Sequence, residues 1–296
     1  MTADERNFRS SYYEKVGCYS VEEKKSLNKL LQDNQRNHSK LKQFCLSYSV
    51  PNTHRALLWS IILGILPLHK NSTAYITDQL KAVYDSLLRA VTLMRYIDSS
   101  TSKSRVFYIM WLLENKKLHP RTNTDIDHKF VEIVKVLLEV FEDDVETYWI
   151  AKEFYICTQD IQAESVKLKE LAQLFLNNEF KNVFLLFSHL EKLDVFINNN
   201  IVDKWFNTCF AGVVSEASLV KVWDKICGGS RKIVTFVFLE LVKTFRESIL
   251  TCNSQKDLNA LIDQIKDQDA VIVNKAIKTW QNNKNHNEIT TKIVLY

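Results

Sequence analysis

The residue types that do chemistry are present in this chain of 296 residues, but mostly without the spacing that chemistry needs. Seven histidines are dispersed, with no HExxH and no His/Cys cluster at metal-ligand spacing, so no metal site is expected. Six cysteines (Cys18, Cys45, Cys157, Cys209, Cys227 and Cys252) contain no CxxC pair and mostly fall on apolar faces, which suits reduced structural thiols. No glycine-rich loop can cradle a phosphate, and Gly228 with Gly229 reads as a helix stop. The run Glu142, Asp143, Asp144 reads as a solvated turn between helices. No cofactor follows from any of these patterns. One carboxylate stands apart: Asp224 adjoins Trp223 in an apolar helix, and a buried charge needs a partner. Arg55, four residues before Trp59 on one helical face, is the candidate. It either lies at the surface sheltering a core tryptophan or pairs with Asp224.

These residues must be positioned by helices. Only 5 glycines and 3 prolines occur, far below average usage of about 12% for the two together, which leaves little turn chemistry for strands. An all-α fold is expected. Trp205, Phe206, Cys209 and Phe210 recur at helical spacing and predict one buried stripe. Ser215, with Ser218 three residues on, opens the helix that carries Leu219, Val222, Trp223 and Ile226 on one face. Further helices are expected over about 20–32, 39–48, 51 onward, 73–97, 128–140, 147–155, 165–176, 180–193 and 232–250. The 232–250 helix would bury Val234, Phe238, Leu241 and Phe245, and Tyr148 with Trp149 forms a core aromatic pair. Two shorter helices over 254–265 and 269–280 close the chain before a loose tail.

Charge excludes two classes of partner. With 39 basic and 35 acidic residues the net charge is +4, too balanced for nucleic acid or an anionic membrane as the main partner. The opening MTADERNFRS is polar, so no leader is expected, and no apolar run approaches the roughly 18 residues of a membrane span. A cytoplasmic protein is expected, with the sequons at Asn37 and Asn71 accidental.

Pro51, Arg55 and Trp59, then Trp205 and Phe206, then Trp223, Asp224 and Gly229 follow the order of anchors in the TBC domain, the all-helical module of Rab GTPase-activating proteins. The resemblance covers about residues 50–231 and implies an all-α, multi-helix TBC domain. Residues 1–49 would be an N-terminal extension with helices, and 232–296 C-terminal helices that complete the domain before the loose tail. The fold anchors it implies are Arg55, Trp59, Trp205, Trp223 and Asp224. The stretches NFRSSYYEKVG, VEEKKSL, RALLW, LGILP, CFAG, VWDK and VNKAI resemble the branch of the family that assembles with hamartin and tuberin in the tuberous sclerosis complex.

An active TBC enzyme inserts an arginine and a glutamine beside the γ-phosphate, one offsetting transition-state charge and the other orienting water. The family carries them as I-x-x-D-x-x-R and Y-x-Q, between the R-x-x-x-W and the W-D. None of the 11 tyrosines begins a Y-x-Q. The one similar arginine motif, Leu30, Asp33 and Arg36, precedes Arg55 and reads as a helix end with a solvated basic residue. Arg121, after Pro120 and with Leu118 where aspartate belongs, is the nearest substitute and reads as a loop arginine. No catalytic residue is assigned, and a non-enzymatic role is expected. An active Rab GTPase activator with unconventional residues is the alternative, and a pseudo-enzyme that still grips a small GTPase is a third reading.

The stretch Thr73 to Ile97 is the best functional candidate, a helix of about 37 Å at about 1.5 Å per residue. Ile76, Leu80, Val83, Leu87, Ala90 and Met94 follow a coiled-coil seam, and Tyr84, Leu88 and Val91 widen the apolar arc beyond one core contact. Asp78, Lys81, Asp85, Arg89 and Thr92 form the wet side. The whole arc is either buried inside a large helical domain or in part offered to a partner; on the second reading the partner-binding residues are Ile76, Leu80, Val83, Tyr84, Leu87, Val91 and Met94. The resemblance implies that this surface clasps the C-terminal coiled coil of hamartin and, through it, tuberin. It further implies a role supporting the complex in GTPase activation of Rheb and restraint of target-of-rapamycin signalling, a small GTPase (Rheb or a Rab) as a further partner, and recruitment to lysosomal or vesicle membranes.

Overall fold

A computed structural model describes residues 21–118, 127–178, 184–193, 195 and 201–293. Apart from an isolated bridge between Gln35 and His69, every regular element among the described residues is helical, so the all-α class holds. The chain divides into two units, one of residues 1–157 with 227–229 and one of 158–226 with 230–296.

The first unit contains α1 (Val21–Gln32), α2 (His38–Ser47), α3 (Asn52–Ile62), α4 (Thr73–Leu93), α5 (Lys103–Glu114), α6 (His128–Val140) and most of α7 (Asp144–Ala163). Local chemistry sets their starts. Asn37 accepts from the Lys40 amide at the head of α2, and Asp127 accepts from the Lys129 amide at the head of α6. Pro51 precedes α3, where its missing donor costs nothing. Aromatic side chains fill the space between. Trp59 stacks on Phe154 at 5.8 Å and meets the edge of Phe141, also at 5.8 Å. Trp111, Phe130 and Tyr155 form a second cluster with ring centroids 5.3–5.5 Å apart. Gly228 marks a close approach to α2: a Cβ there would lie 2.9 Å from Leu46 Cδ2 and 3.1 Å from the Lys42 carbonyl oxygen.

The second unit is built around α12 (Ile233–Thr244), whose opening IVTFVFLELV is apolar but for Thr235 and Glu240 and buried throughout. It packs against α8 (Ser165–Asn178) and α15 (Ile262–Ile293), and the Thr235 hydroxyl donates to the Leu168 carbonyl. α9 (Phe184–Lys192), α10 (Ile201–Asn207), α11 (Glu216–Cys227), α13 (Arg246–Thr251) and α14 (Gln255–Ala260) complete the helices. A buried ion pair between Lys169 and Asp203, at 3.0 Å, links α8 to α10.

Four expectations are corrected here. The stripe from Trp205 to Phe210 is buried, but α10 ends at Asn207, and Cys209 and Phe210 lie in a turn at φ 49° and 65°. The single helix expected over 232–250 breaks at Phe245. Asp269 does not begin a helix: it lies inside α15, which runs 32 residues. The tail expected to be loose remains helical to Ile293.

A candidate docking face on α4

α4 carries the proposed partner-binding residues and is held from behind by the first unit. Tyr84 and Val91 are its buried side chains. The Tyr84 ring meets Phe107 and Tyr148 edge-on at 6.1 and 5.7 Å. The Trp149 indole donates to the Leu80 carbonyl at 3.2 Å, a bond from α7 into the middle of α4. Trp149 is braced in turn, because the Lys152 ammonium lies 4.8 Å over its ring and pairs with Glu114 at 2.6 Å. The Tyr148 hydroxyl donates to the other oxygen of Glu114 at 2.9 Å. The expected pair Tyr148 and Trp149 therefore locates α4 as well as filling core.

The electrostatics follow from burial. Desolvation, with added repulsion from Asp144, Asp85 and Asp143, pushes the Tyr84 phenol up to about 12. Burial first, and then Glu114, raises the Tyr148 phenol as well. Both rings are neutral at physiological pH, as groups packed behind a helix should be.

The other side of α4 is open. Tyr75 is 67% exposed, Val83 44%, Leu93 72% and Met94 50%, while Ile76, Leu80, Leu87 and Leu88 are half-buried. Of the seven residues assigned to partner binding, Tyr84 and Val91 face the core because the aromatic cluster claims them; Ile76, Leu80 and Leu87 are half-buried beside them, and Val83 and Met94 are exposed. α4 is also shorter than expected. It stops at Leu93, and Arg95 turns the chain at φ 58°, so Tyr96 and Ile97 leave the helix.

The head of α4 shows a residue that the sequence reading placed wrongly. Arg36, expected in water, is only 4% exposed. Its Nε donates to the Leu31 carbonyl at 3.0 Å, and Nη1 to the Pro67 carbonyl at 3.3 Å and to Thr73 Oγ1 at 3.2 Å. Nothing in a local pattern reveals such a bond to a loop carbonyl 31 residues away. The other arginine weighed as a catalytic substitute, Arg121, lies outside the described residues.

The fold anchors are placed within their own units. Arg55 is buried, contrary to the reading that set it at the surface, and its guanidinium donates to Asn52 and to the Val50 carbonyl. Trp205, Trp223 and Asp224 are buried in the second unit. Arg55 and Asp224 belong to different units, and their pairing stays a sequence-based expectation. Among the described residues no cluster of three or more His, Cys, Asp or Glu could hold a metal, and no helix is long and apolar enough to cross a membrane.

Comparison with known proteins gives three kinds of match. The Rab-GTPase-TBC domain family matches residues 130–250. TBC1 domain family member 7 of Bos taurus and of Homo sapiens are each 37% identical to this chain over 287 residues, covering 95% of it and 96% of the relative. The protein of that name from Danio rerio is 35% identical over 282 residues. Among solved structures, the Ypt/Rab-GAP domain of Gyp1p superposes with a TM-score of 0.65 at 13% identity, covering 89% of this chain and 99% of that one. A Chlamydomonas flagellar RabGAP TBC domain superposes at 0.53 with 17% identity, covering 81% and 84%. At such identities the structures speak for the fold alone.

Proposed function

The chain belongs to the TBC domain family, as its full-length likeness to TBC1 domain family member 7 establishes, and on that footing we propose that it is a member that binds without catalysing. It serves as a supporting subunit of the tuberous sclerosis complex, with α4 laid against the C-terminal coiled coil of hamartin and tuberin reached through hamartin. In that role it steadies the complex while tuberin accelerates GTP hydrolysis on Rheb, which restrains target-of-rapamycin signalling. The protein is cytoplasmic in this reading and reaches lysosomal or vesicle membranes through the complex. The TBC domain spans residues 50–231, and the helices after it complete the domain.

One observation carries this reading: α4 and its C-cap leave Tyr75, Val83, Leu93 and Met94 exposed to solvent while Tyr84 and Val91 are fixed by packing in the first unit. A rigid apolar stripe of that kind suits a coiled coil. The absence of catalysis rests on the sequence, which has no Y-x-Q, and on Arg36, the motif-like arginine, which is buried against neutral oxygens. Two rivals differ in kind, an active Rab GTPase activator using Arg121 or another unconventional residue, and a pseudo-enzyme that grips a small GTPase. Single-turnover GTP hydrolysis over a Rab panel separates the active enzyme from the others, and a pull-down of the full chain with the hamartin C-terminal coiled coil separates the proposed role from the pseudo-enzyme. Retention of the coiled coil is expected, and failure to retain it, with a Rab or Rheb retained instead, would favour the third reading.

A further inference from the structure

We propose that Thr73 is a phosphoacceptor and that Arg36 is the receptor already in place for its phosphate. Arg36 is only 4% exposed, yet the groups that bond it are two carbonyls and one hydroxyl, all neutral. It makes no ion pair among the described residues, and its Nη2 donates to none of them. A guanidinium largely withdrawn from water without an anion carries an electrostatic cost. Burial pulls it below its ordinary pKa with no acidic neighbour raising it back. The hydroxyl it holds, Thr73 Oγ1 at 3.2 Å, is on the first residue of a helix of 21 residues.

The end of that helix is equally short of negative charge. α4 has no acid in its first turn, and the side chain of Ser72 makes no capping bond. A 3-10 turn over Lys70–Ser72 leads into α4, with the Thr73 amide bonded to the Lys70 carbonyl, so it is Arg36 that favours an anion at Thr73. The approach is open, since Leu68, His69, Lys70, Asn71 and Ser72 are all exposed and Thr73 is half-buried. Lys70, three residues before Thr73, offers an acidic kinase groove a charge to bind. Thr77, the next hydroxyl on α4, is committed to the Thr73 carbonyl at 2.9 Å.

The step is a phosphoryl transfer from ATP. Thr73 Oγ1 attacks the γ-phosphorus, its proton passes to the kinase base, the bond from that phosphorus to the β-bridging oxygen breaks, and ADP leaves. The product places three acceptor oxygens beside Nη1 and the unused Nη2 of Arg36.

The full chain should be isolated from its own cells under phosphatase inhibition and cut with trypsin, which releases Asn71 to Lys81 as one peptide. Fragment ions are expected to place phosphate on Thr73. Phosphorus NMR of full chain carrying encoded phosphothreonine at that position is expected to give a second pKa about one unit below the usual value of about 6. Arg36→Gln in the same phosphoprotein should return it to about 6; if that variant does not fold, Arg36→Lys, which keeps the charge and loses the fork, should give an intermediate value. A peptide phosphorylated only at Ser72 or Thr77, or not at all, would overturn the proposal, as would a second pKa near 6 with Arg36 intact.

Discussion

Trp223 was legible as a buried aromatic, but its task was not. Its indole donates to the Cys209 carbonyl at 2.9 Å, and Cys209 and Phe210 are consecutive non-glycine residues at positive φ. Such backbone is costly and persists where its surroundings over-determine it. Trp223→Phe keeps most of the packing and leaves that carbonyl without the indole, so a loss of about 1–3 kcal/mol in chemical denaturation is expected. Spacing told us these side chains were inside and nothing of the turn that puts them there. Arg36 shows the same limit, because its partners lie across the fold. Tyr84 allows a pH test. Its folded pKa of about 12 lies above the unfolded value near 10, so the stability it contributes is complete below about pH 10 and is lost as pH rises toward 12. Tyr84→Phe should flatten that part of an alkaline unfolding curve; a curve unchanged by the substitution would contradict the burial assigned to the phenol.

At the scale of elements, α4 was the most legible part of the chain, because an apolar arc wider than one core contact can be counted directly from Ile76 to Met94. Which half of the arc is core was not legible, since Phe107, Tyr148 and Trp149 decide it and they come from α5 and α7. The division predicts unequal costs. Val91→Ala should destabilise by about 1–2 kcal/mol and Met94→Ala by less than about 0.5 kcal/mol, measured by urea unfolding. Equal costs would mean that both sides are packed. The side-chain caps Asp127 and Asn37 are local, yet the sequence analysis passed over both. The start of α11 after Ser215 was read from the sequence, but not its support: Asp269 of α15 accepts from the Ser215 amide at 2.7 Å and from the Ser218 hydroxyl at 3.1 Å. Ser215 looked like the cap by type, yet the carboxylate arrives from 54 residues away.

For the whole molecule, fold class was legible from scarce glycine and proline, and family from anchors that keep their order. A scaffold that keeps its anchors without Y-x-Q is expected to leave single-turnover GTP hydrolysis unchanged across a Rab panel. A rate enhancement that disappears in Arg121→Ala would instead identify an enzyme. Binding is the positive side of the same account. The most direct measurement is calorimetric titration of the full chain with the hamartin C-terminal coiled coil, comparing the unaltered protein with the double variant Val83→Glu and Met94→Glu, two positions exposed at 44% and 50%. Helical content and monomeric state should be preserved while affinity falls at least about tenfold, or about 1.4 kcal/mol. A folded variant that binds the coiled coil as tightly as the original would contradict α4 as the docking face.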